Sequence, residues 1–367
     1  MTGTGALVRP TVLTADDVCV RIPGPAGVIT PVDHVSIELR QGEVLGIVGE
    51  TGSGKTVMCR SLLGLMPSPR ATHSGSVHYP GVMDNNVLDL GTKGMRRYWG
   101  DYVSMIPQNP MTSLNPVHRI GAQIEEAVAA HSTLPRDARR ERVIELMSRV
   151  GIPVPERRMR DYPHQFSGGM LQRTLIAIAL AGNPRILVAD EPTTALDVII
   201  QDQILSLLID LQRDMGMSLV LVSHDLSVIA QICDRVGVMY AGQLVELSTT
   251  DDLLRRPQHP YTAALLKSLP GAMPRGEPLT TIGGAPPQLV NLPQTCRFTP
   301  RCPFAEPACA EWTTELLAAG DGIGRVRCRR HAELDLGSIA APVGEAAPDG
   351  RGELIIPMHA GMDQPNP

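Results

Sequence analysis

Gly49, Glu50, Thr51, Gly52, Ser53, Gly54, Lys55 and Thr56 place three glycines, a lysine and three hydroxyls within one short stretch. This is the pattern G-x-x-x-x-G-K-[ST]. Its glycines let the backbone wrap with N–H groups turned inward, the lysine adds a point charge, and the threonine hydroxyl can ligate Mg²⁺. The chemistry is the cradling of nucleotide phosphates. Further along, Asp190-Glu191 closes the apolar run ILVAD. An aspartate there can hold Mg²⁺ directly or through water, and the acid beside it can polarise a water for attack. His224 ends a second run, SLVLVSH; an imidazole there can donate to a phosphate oxygen. In FSGGMLQR, Ser167 offers a capping hydroxyl, while Gly168 and Gly169 leave backbone N–H groups unobstructed at a helix start. That makes a second anion-binding surface.

Three strands must carry these groups. VLGIVG (44–49), ILVAD (186–190) and SLVLVSH (218–224) are nearly continuous Val/Ile/Leu, as expected of parallel strands covered on both faces. Each ends on a residue with chemical potential, and open parallel sheets bind ligands beyond the carboxyl ends of their strands. Residues 1 to about 250 alternate such runs with helix-period segments, the signature of an α/β fold. Between about 109 and 184 the strand signal fades. RIGAQIEEAVAAH and ARRERVIELMSRVG carry apolar residues at helical spacing, among them Val143, Leu146, Met147 and Val150, so a helical insertion is expected.

The 367 residues imply about two domains. With 33 Lys+Arg against 38 Asp+Glu the chain exerts no global pull on nucleic acid. No apolar run approaches the roughly 20 residues of a membrane span, and the first residues lack the layout of a signal peptide. A soluble, cytoplasmic-type chain is expected, with any membrane role supplied by partners. Pro257, Pro260, Pro270 and Pro274 mark a change of character after the core, and 336–367 has the composition of a flexible tail. Four of the seven cysteines, Cys296, Cys302, Cys309 and Cys328, crowd near the C-terminus. Such a cluster in a reducing compartment points to a metal site. Thiolates in fours suit a [4Fe–4S] cluster or a structural Zn²⁺. No C-x₂₋₄-C pair is present, which favours iron–sulfur. Arg297, Arg301, Arg327, Arg329 and Arg330 flank the thiolates and are expected to offset their charge.

SGG opening a helix, then ILVADEPTTALD and LVSHD, resembles the nucleotide-binding subunit of an ATP-binding cassette (ABC) transporter. The resemblance implies an α/β P-loop cassette with a RecA-like core and a helical subdomain. It assigns Lys55 and Thr56 to Walker A, Asp190 and Glu191 to Walker B, and the role of catalytic base to Glu191. Gln108, in MIPQNPMTSLNP, matches the glutamine that senses Mg²⁺, water and the membrane subunits. Ser167, Gly168 and Gly169 match the signature, Asp197 the D-loop, and His224 the switch histidine. Many such ATPases stack an aromatic residue on adenine some 25 to 30 positions before the Walker lysine; residues 18–33 contain none.

In this family the signature of one subunit faces Walker A of another, so the resemblance implies a homodimer or a second cassette ATPase. RRPQHPYTAALLKSLP and IGGAPPQLVNLPQTCRFTPRCPFAEPACA resemble the C-terminal extension of oligopeptide, dipeptide and nickel importer ATPases. The expected organisation is a nucleotide-binding domain (1–255), an extension bearing a Cys-bound cluster (256–335) and a tail (336–367). The implied partners are two membrane permeases and an extracytoplasmic substrate-binding protein, which would place the chain at the cytoplasmic face of the membrane. A nickel or other small-solute importer is the alternative. A soluble ABC ATPase of DNA repair or translation is a further one, without the expected coiled-coil insertion or second cassette.

Overall fold

The computed structural model describes residues 9–194, 196–269, 281–319 and 324–337. Pro270, Pro274 and nearly all of the expected tail lie outside the described residues. In chain order the strands begin with β1 (Thr11–Gly24), β2 (Gly27–Arg40), β3 (Val44–Val48), β4 (Thr72–His78) and β5 (Val103–Ile106). They continue with β6 (Ile186–Asp190), β7 (Ser218–Val222), β8 (Arg235–Tyr240), β9 (Gln243–Thr249), β10 (Leu317–Ala319) and β11 (Gly324–Val326).

Two sheets result. One is antiparallel, in the order β2-β1-β4, and the other runs β10-β11-β9-β8-β3-β7-β6-β5. The apolar runs read from the sequence become β3, β7 and β6, side by side and parallel, with all five residues of each buried. Layers on both faces make each alternate residue a core residue, which is why these strands show no polar alternation. The expected helical insertion is also present. Helices Ile120–Ala130 and Arg136–Arg149 pack with Gly168–Ala179, and Val143, Leu146, Met147 and Val150 are fully buried among them.

The extension does not stand apart from the cassette. β11 pairs with β9, so the hairpin β10–β11 lengthens the large sheet. Tyr261, Leu265, Leu266 and Phe298 join the same core as β3 and β8. The 367 residues include only three Phe, six Tyr and two Trp, yet three of these aromatics meet at one joint. Tyr240 of β8 lies 4.6 Å from Tyr261 and 5.3 Å from Phe298, centroid to centroid. Such pairs contribute about 0.5–1.5 kcal/mol each beyond area burial. A segment with too few apolar runs for a core of its own folds by borrowing one.

Three of the flanking arginines serve that docking, not the thiolates. Arg297 pairs with buried Asp33 of β2 and donates to the Ala241 carbonyl. Arg327 donates to the carbonyls of Leu244, Thr314 and His34. Arg301 holds Glu50 through two hydrogen bonds, of 2.8 and 3.0 Å. Arg329 and Arg330 do line the cysteine cavity. Guanidinium forks reach carbonyls and carboxylates across the joint, and the sequence offered no way to see which partners they would find.

Candidate nucleotide site

β3 delivers the chain into residues 49–54, and the helix Lys55–Leu62 leaves it. Gly49 and Gly54 have φ of 150° and 103°, and a Cβ on either would overlap a carbonyl, of Met239 or Pro31 respectively. Only glycine fits so tight a wrap. No side chain caps the helix, so its first N–H groups remain available for an anion. Lys55 is buried and its ammonium donates to the carbonyls of Gly49 (2.8 Å) and Glu50 (3.1 Å). Burial pulls its pKa down, against the opposing pull of Glu191 and Asp190.

The ends of β6 and β7 close in on this loop. Thr56 Oγ1 donates to Asp190 Oδ1 at 3.1 Å. Asp190 is fully buried, its pKa is raised by that burial, and its Oδ2 has no hydrogen-bond partner. A buried, under-satisfied carboxylate beside a hydroxyl is a hard-oxygen donor pair suited to Mg²⁺.

Glu191 is the hub. Its φ is 47°, a left-handed conformation that a non-glycine residue holds only when its surroundings impose it. Its Oε2 accepts from Gln108 Nε2 at 2.9 Å and from Thr194 Oγ1 at 2.9 Å, with His224 Nδ1 at 3.5 Å. Its Oε1 lies 3.8 Å from the Lys55 ammonium. Lys55, Gln108, Glu191 and His224, drawn from four distant stretches of chain, are thus brought together. Thr194 was not singled out from the sequence, although it stands inside EPTTALD.

The remaining expected residues are divided between two places. Ser167 caps the helix Gly168–Ala179, accepting from Met170 N–H. Asp197 caps the helix Val198–Met215 through Ile200 N–H at 3.0 Å. A Cβ on Gly168 would meet Leu196, and one on Gly169 would meet Ile200, so the signature and the D-loop form one surface. Glu50, Thr51, Gly52 and Ser53 of the phosphate loop line a cavity of about 390 Å³ together with Ile29, Tyr240 and residues 286–290. Glu50 is differently employed, with its carboxylate on Arg301 and its N–H on Tyr261 Oη at 3.0 Å.

Comparison with known proteins decides the family. An ABC transporter model matches residues 32–194, and a model of the oligopeptide/dipeptide transporter C-terminal region matches 245–309. The dipeptide transport ATP-binding protein DppD of Haemophilus influenzae is 46% identical over 297 residues, covering 81% of this chain and 88% of that one. The chain belongs to the ABC transporter family, as an ATP-binding subunit with the oligopeptide/dipeptide-type C-terminal region. The oligopeptide transport ATP-binding protein OppD of Bacillus subtilis is 44% identical over 302 residues, 82% of this chain and 84% of its own. Among solved structures, the dimeric post-hydrolysis state of the cassette MJ0796 bound to ADP and Pi superposes with a TM-score of 0.57. It is 26% identical, over 65% of this chain and 98% of that one. This ABC subunit is therefore an ATPase of the cassette fold. Among its described residues, no helix is long and apolar enough to cross a membrane.

The four C-terminal thiols of the cassette's extension share a single small cavity of about 20 Å³. It is lined by Cys296, Cys302, Cys309 and Cys328 with Phe304, Trp312 and Arg330. No three of these sulfurs lie within 4.8 Å of one another. A tetrahedral Zn²⁺ with ~2.3 Å bonds would draw them closer than that. Burial raises the Cys302 thiol and pushes Cys328 up to about 11.

Proposed function

We propose that this subunit hydrolyses Mg²⁺–ATP at composite sites shared with a second cassette, homologous or identical, and so powers peptide import through two permeases. The observation that carries the catalytic half is the convergence of Gln108, Thr194, His224 and Lys55 on the Glu191 carboxylate. Glu191 takes the proton of the attacking water, and Gln108 and Thr194 hold it in the rotamer that faces the loop. His224 donates to the departing phosphoryl group, while Lys55 and the helix N–H groups hold the phosphates. Mg²⁺, when bound, would sit on Thr56, Asp190 and Gln108 and neutralise phosphate charge.

Ser167, Gly168 and Gly169 are assigned to the partner's nucleotide. They form a continuous surface with Asp197 at a helix start, and the related cassette MJ0796 is described as dimeric. Peptide as the cargo is supported by the C-terminal region and by the names of the relatives; an extracytoplasmic substrate-binding protein and a peripheral position at the cytoplasmic face belong to the same proposal and rest on the resemblance to this importer group. In Glu191→Gln, ATP binding survives, turnover falls by at least ~10²-fold, and an ATP-bound dimer accumulates. Turnover near the parent rate in the assembled complex refutes the assignment of the base.

The extension is proposed to hold a [4Fe–4S] cluster on Cys296, Cys302, Cys309 and Cys328. The support is a donor set of four thiols around one cavity, without the C-x₂₋₄-C pair that structural Zn²⁺ sites prefer. Anaerobically purified full-length chain should carry about four iron and four sulfide. One zinc without iron would favour the Zn²⁺ alternative, and freshly isolated protein without metal would refute both.

A further inference from the structure

The mechanism leaves unexplained why Glu50, within a loop meant for phosphate, faces away into the extension. Its N–H is taken by Tyr261 Oη, and its carboxylate by both terminal nitrogens of Arg301, residues 211 and 251 positions further along the chain. The Arg301 side chain is buried and its donors are committed. Nε donates to the Gly283 carbonyl at 2.8 Å, and the guanidinium lies 5.7 Å from the Tyr240 ring centroid. The link does not end at the carboxylate. The Glu50 carbonyl is one of the two acceptors that hold the Lys55 ammonium. On its far side the loop is held by Gly242, whose N–H donates to the Ser53 carbonyl at 2.9 Å.

We infer that Arg301 is a positioning residue of the nucleotide site, through which the C-terminal extension clamps the phosphate loop and pre-sets its affinity for ATP. Gly49, Gly52 and Gly54 all sit at positive φ and give this loop a freedom that binding must remove. A fork on Glu50, assisted by Tyr261, removes part of that freedom in advance and keeps the Lys55 anchor in place. Arg301 reaches the loop through the Glu50 carboxylate. The inference rests on reading residues 49–56 as the phosphate loop.

The test uses the full-length chain and Mg²⁺–ATP. Steady-state hydrolysis is measured, and binding is measured by calorimetry in a Glu191→Gln background so that turnover plays no part. Arg301→Met should raise the KM and Kd for ATP roughly 5- to 10-fold, at the low end of coupling between sites, with kcat little changed. Glu50→Gln should do the same, and the double variant should be no worse than the worse single one, because both remove one link. Arg301→Lys, which keeps charge but loses the fork, should fall between. Arg327→Met removes extension contacts that do not reach the loop, so it should lower the melting temperature and leave KM alone. Arg301→Met with a lowered melting temperature and an unchanged Kd would overturn the clamp, as would additive losses in the double variant. Should the complex assembled with its second cassette fail to hydrolyse ATP, the proposed function falls, while the calorimetric comparison on the full-length chain still decides the clamp.

Discussion

The strand-end site and the cysteine cavity of the extension are built on opposite plans. In the first, each chemical group stands at the end of a buried parallel strand or on a helix start, and the sheet sets the distances between them. In the second, four thiols hang on irregular chain and short helical turns, Thr299–Arg301 and Pro307–Glu311. A site framed by a sheet can lose a functional atom and stay folded. A site framed by loops depends on what the loops hold. Substitutions should therefore separate: at the strand ends they cost turnover, and in the extension they cost stability and affinity.

The largest effect is expected at Gly168. A Cβ there meets only Leu196 at 3.4 Å, so the fold tolerates a side chain. Gly168→Asp would set a carboxylate at the helix start proposed to face the partner's γ-phosphate and so oppose closure by like-charge repulsion. Hydrolysis by the assembled complex should fall by ~10²-fold or more, a loss typical of a removed transition-state contact, with nucleotide photocrosslinking to the isolated chain unchanged. Equal loss of binding in the isolated chain would place these glycines at this chain's own nucleotide.

Thr194 comes next. Its hydroxyl and Gln108 share Glu191 Oε2, so Thr194→Ala loosens the proposed base without removing it. A drop in kcat of roughly 10-fold at unchanged KM is expected, since misplacing a reacting group by a fraction of an ångström is costly. Thr194→Ser should restore most of the rate. A change in KM alone would show that the residue serves binding, which would blur the distinction between the two regions.

The cysteines test the other side. Cys302 directly follows Arg301, whereas Cys328 follows Arg327, which does not touch the phosphate loop. Both Cys302→Ser and Cys328→Ser should lower the melting midpoint, by about 2–4 °C for each kcal/mol lost. Only Cys302→Ser should also raise the KM for ATP. If the two variants behave alike in KM, the extension acts on the loop as a whole body and not through Arg301.

What the sequence disclosed follows the same division. β3, β6 and β7 were legible because a strand covered on both faces must be apolar at every position, and their end groups followed from that. Lys55, Thr56, Asp190, Glu191 and His224 lie within a few residues of such runs. Gln108 was visible only through family resemblance, since β5 before it is short and partly exposed. The phosphate loop reads as one motif, yet the role of Glu50 depends on Arg301 far down the chain, and no local pattern encodes a contact across 251 positions. Thr194 was hidden for a different reason: in a run rich in turn-forming hydroxyls, nothing marks the one that faces the base. Of the five flanking arginines, Arg329 and Arg330 line the cysteine cavity, whereas Arg297, Arg301 and Arg327 turn to other partners, because neighbours in sequence need not carry their charged ends to the same place.

The smallest effect concerns the joint itself. Glu246 of β9 is buried and accepts N–H groups from Gln258 and His259 at 2.9 and 2.8 Å. Burial raises its pKa from 4.5 to about 7 despite those bonds, and burial lowers that of His259 to about 3. Between about pH 4.5 and 7 the folded chain keeps a proton on Glu246 that the unfolded chain has released, so its contribution falls as pH rises. His259 acts in the opposite sense between about 6.5 and 3, where the unfolded chain binds a proton that the folded chain refuses. Over the shared window the two slopes cancel, and a plateau of stability is expected. Glu246→Gln should remove one slope and leave the other. Relative to the parent, the variant should gain stability as pH rises from 5 to 8, by at most ~1.4 kcal/mol per pH unit. Urea unfolding at those two pH values measures it. A stability difference that does not change with pH would mean that Glu246 titrates normally, and that the joint is wetter than its burial implies.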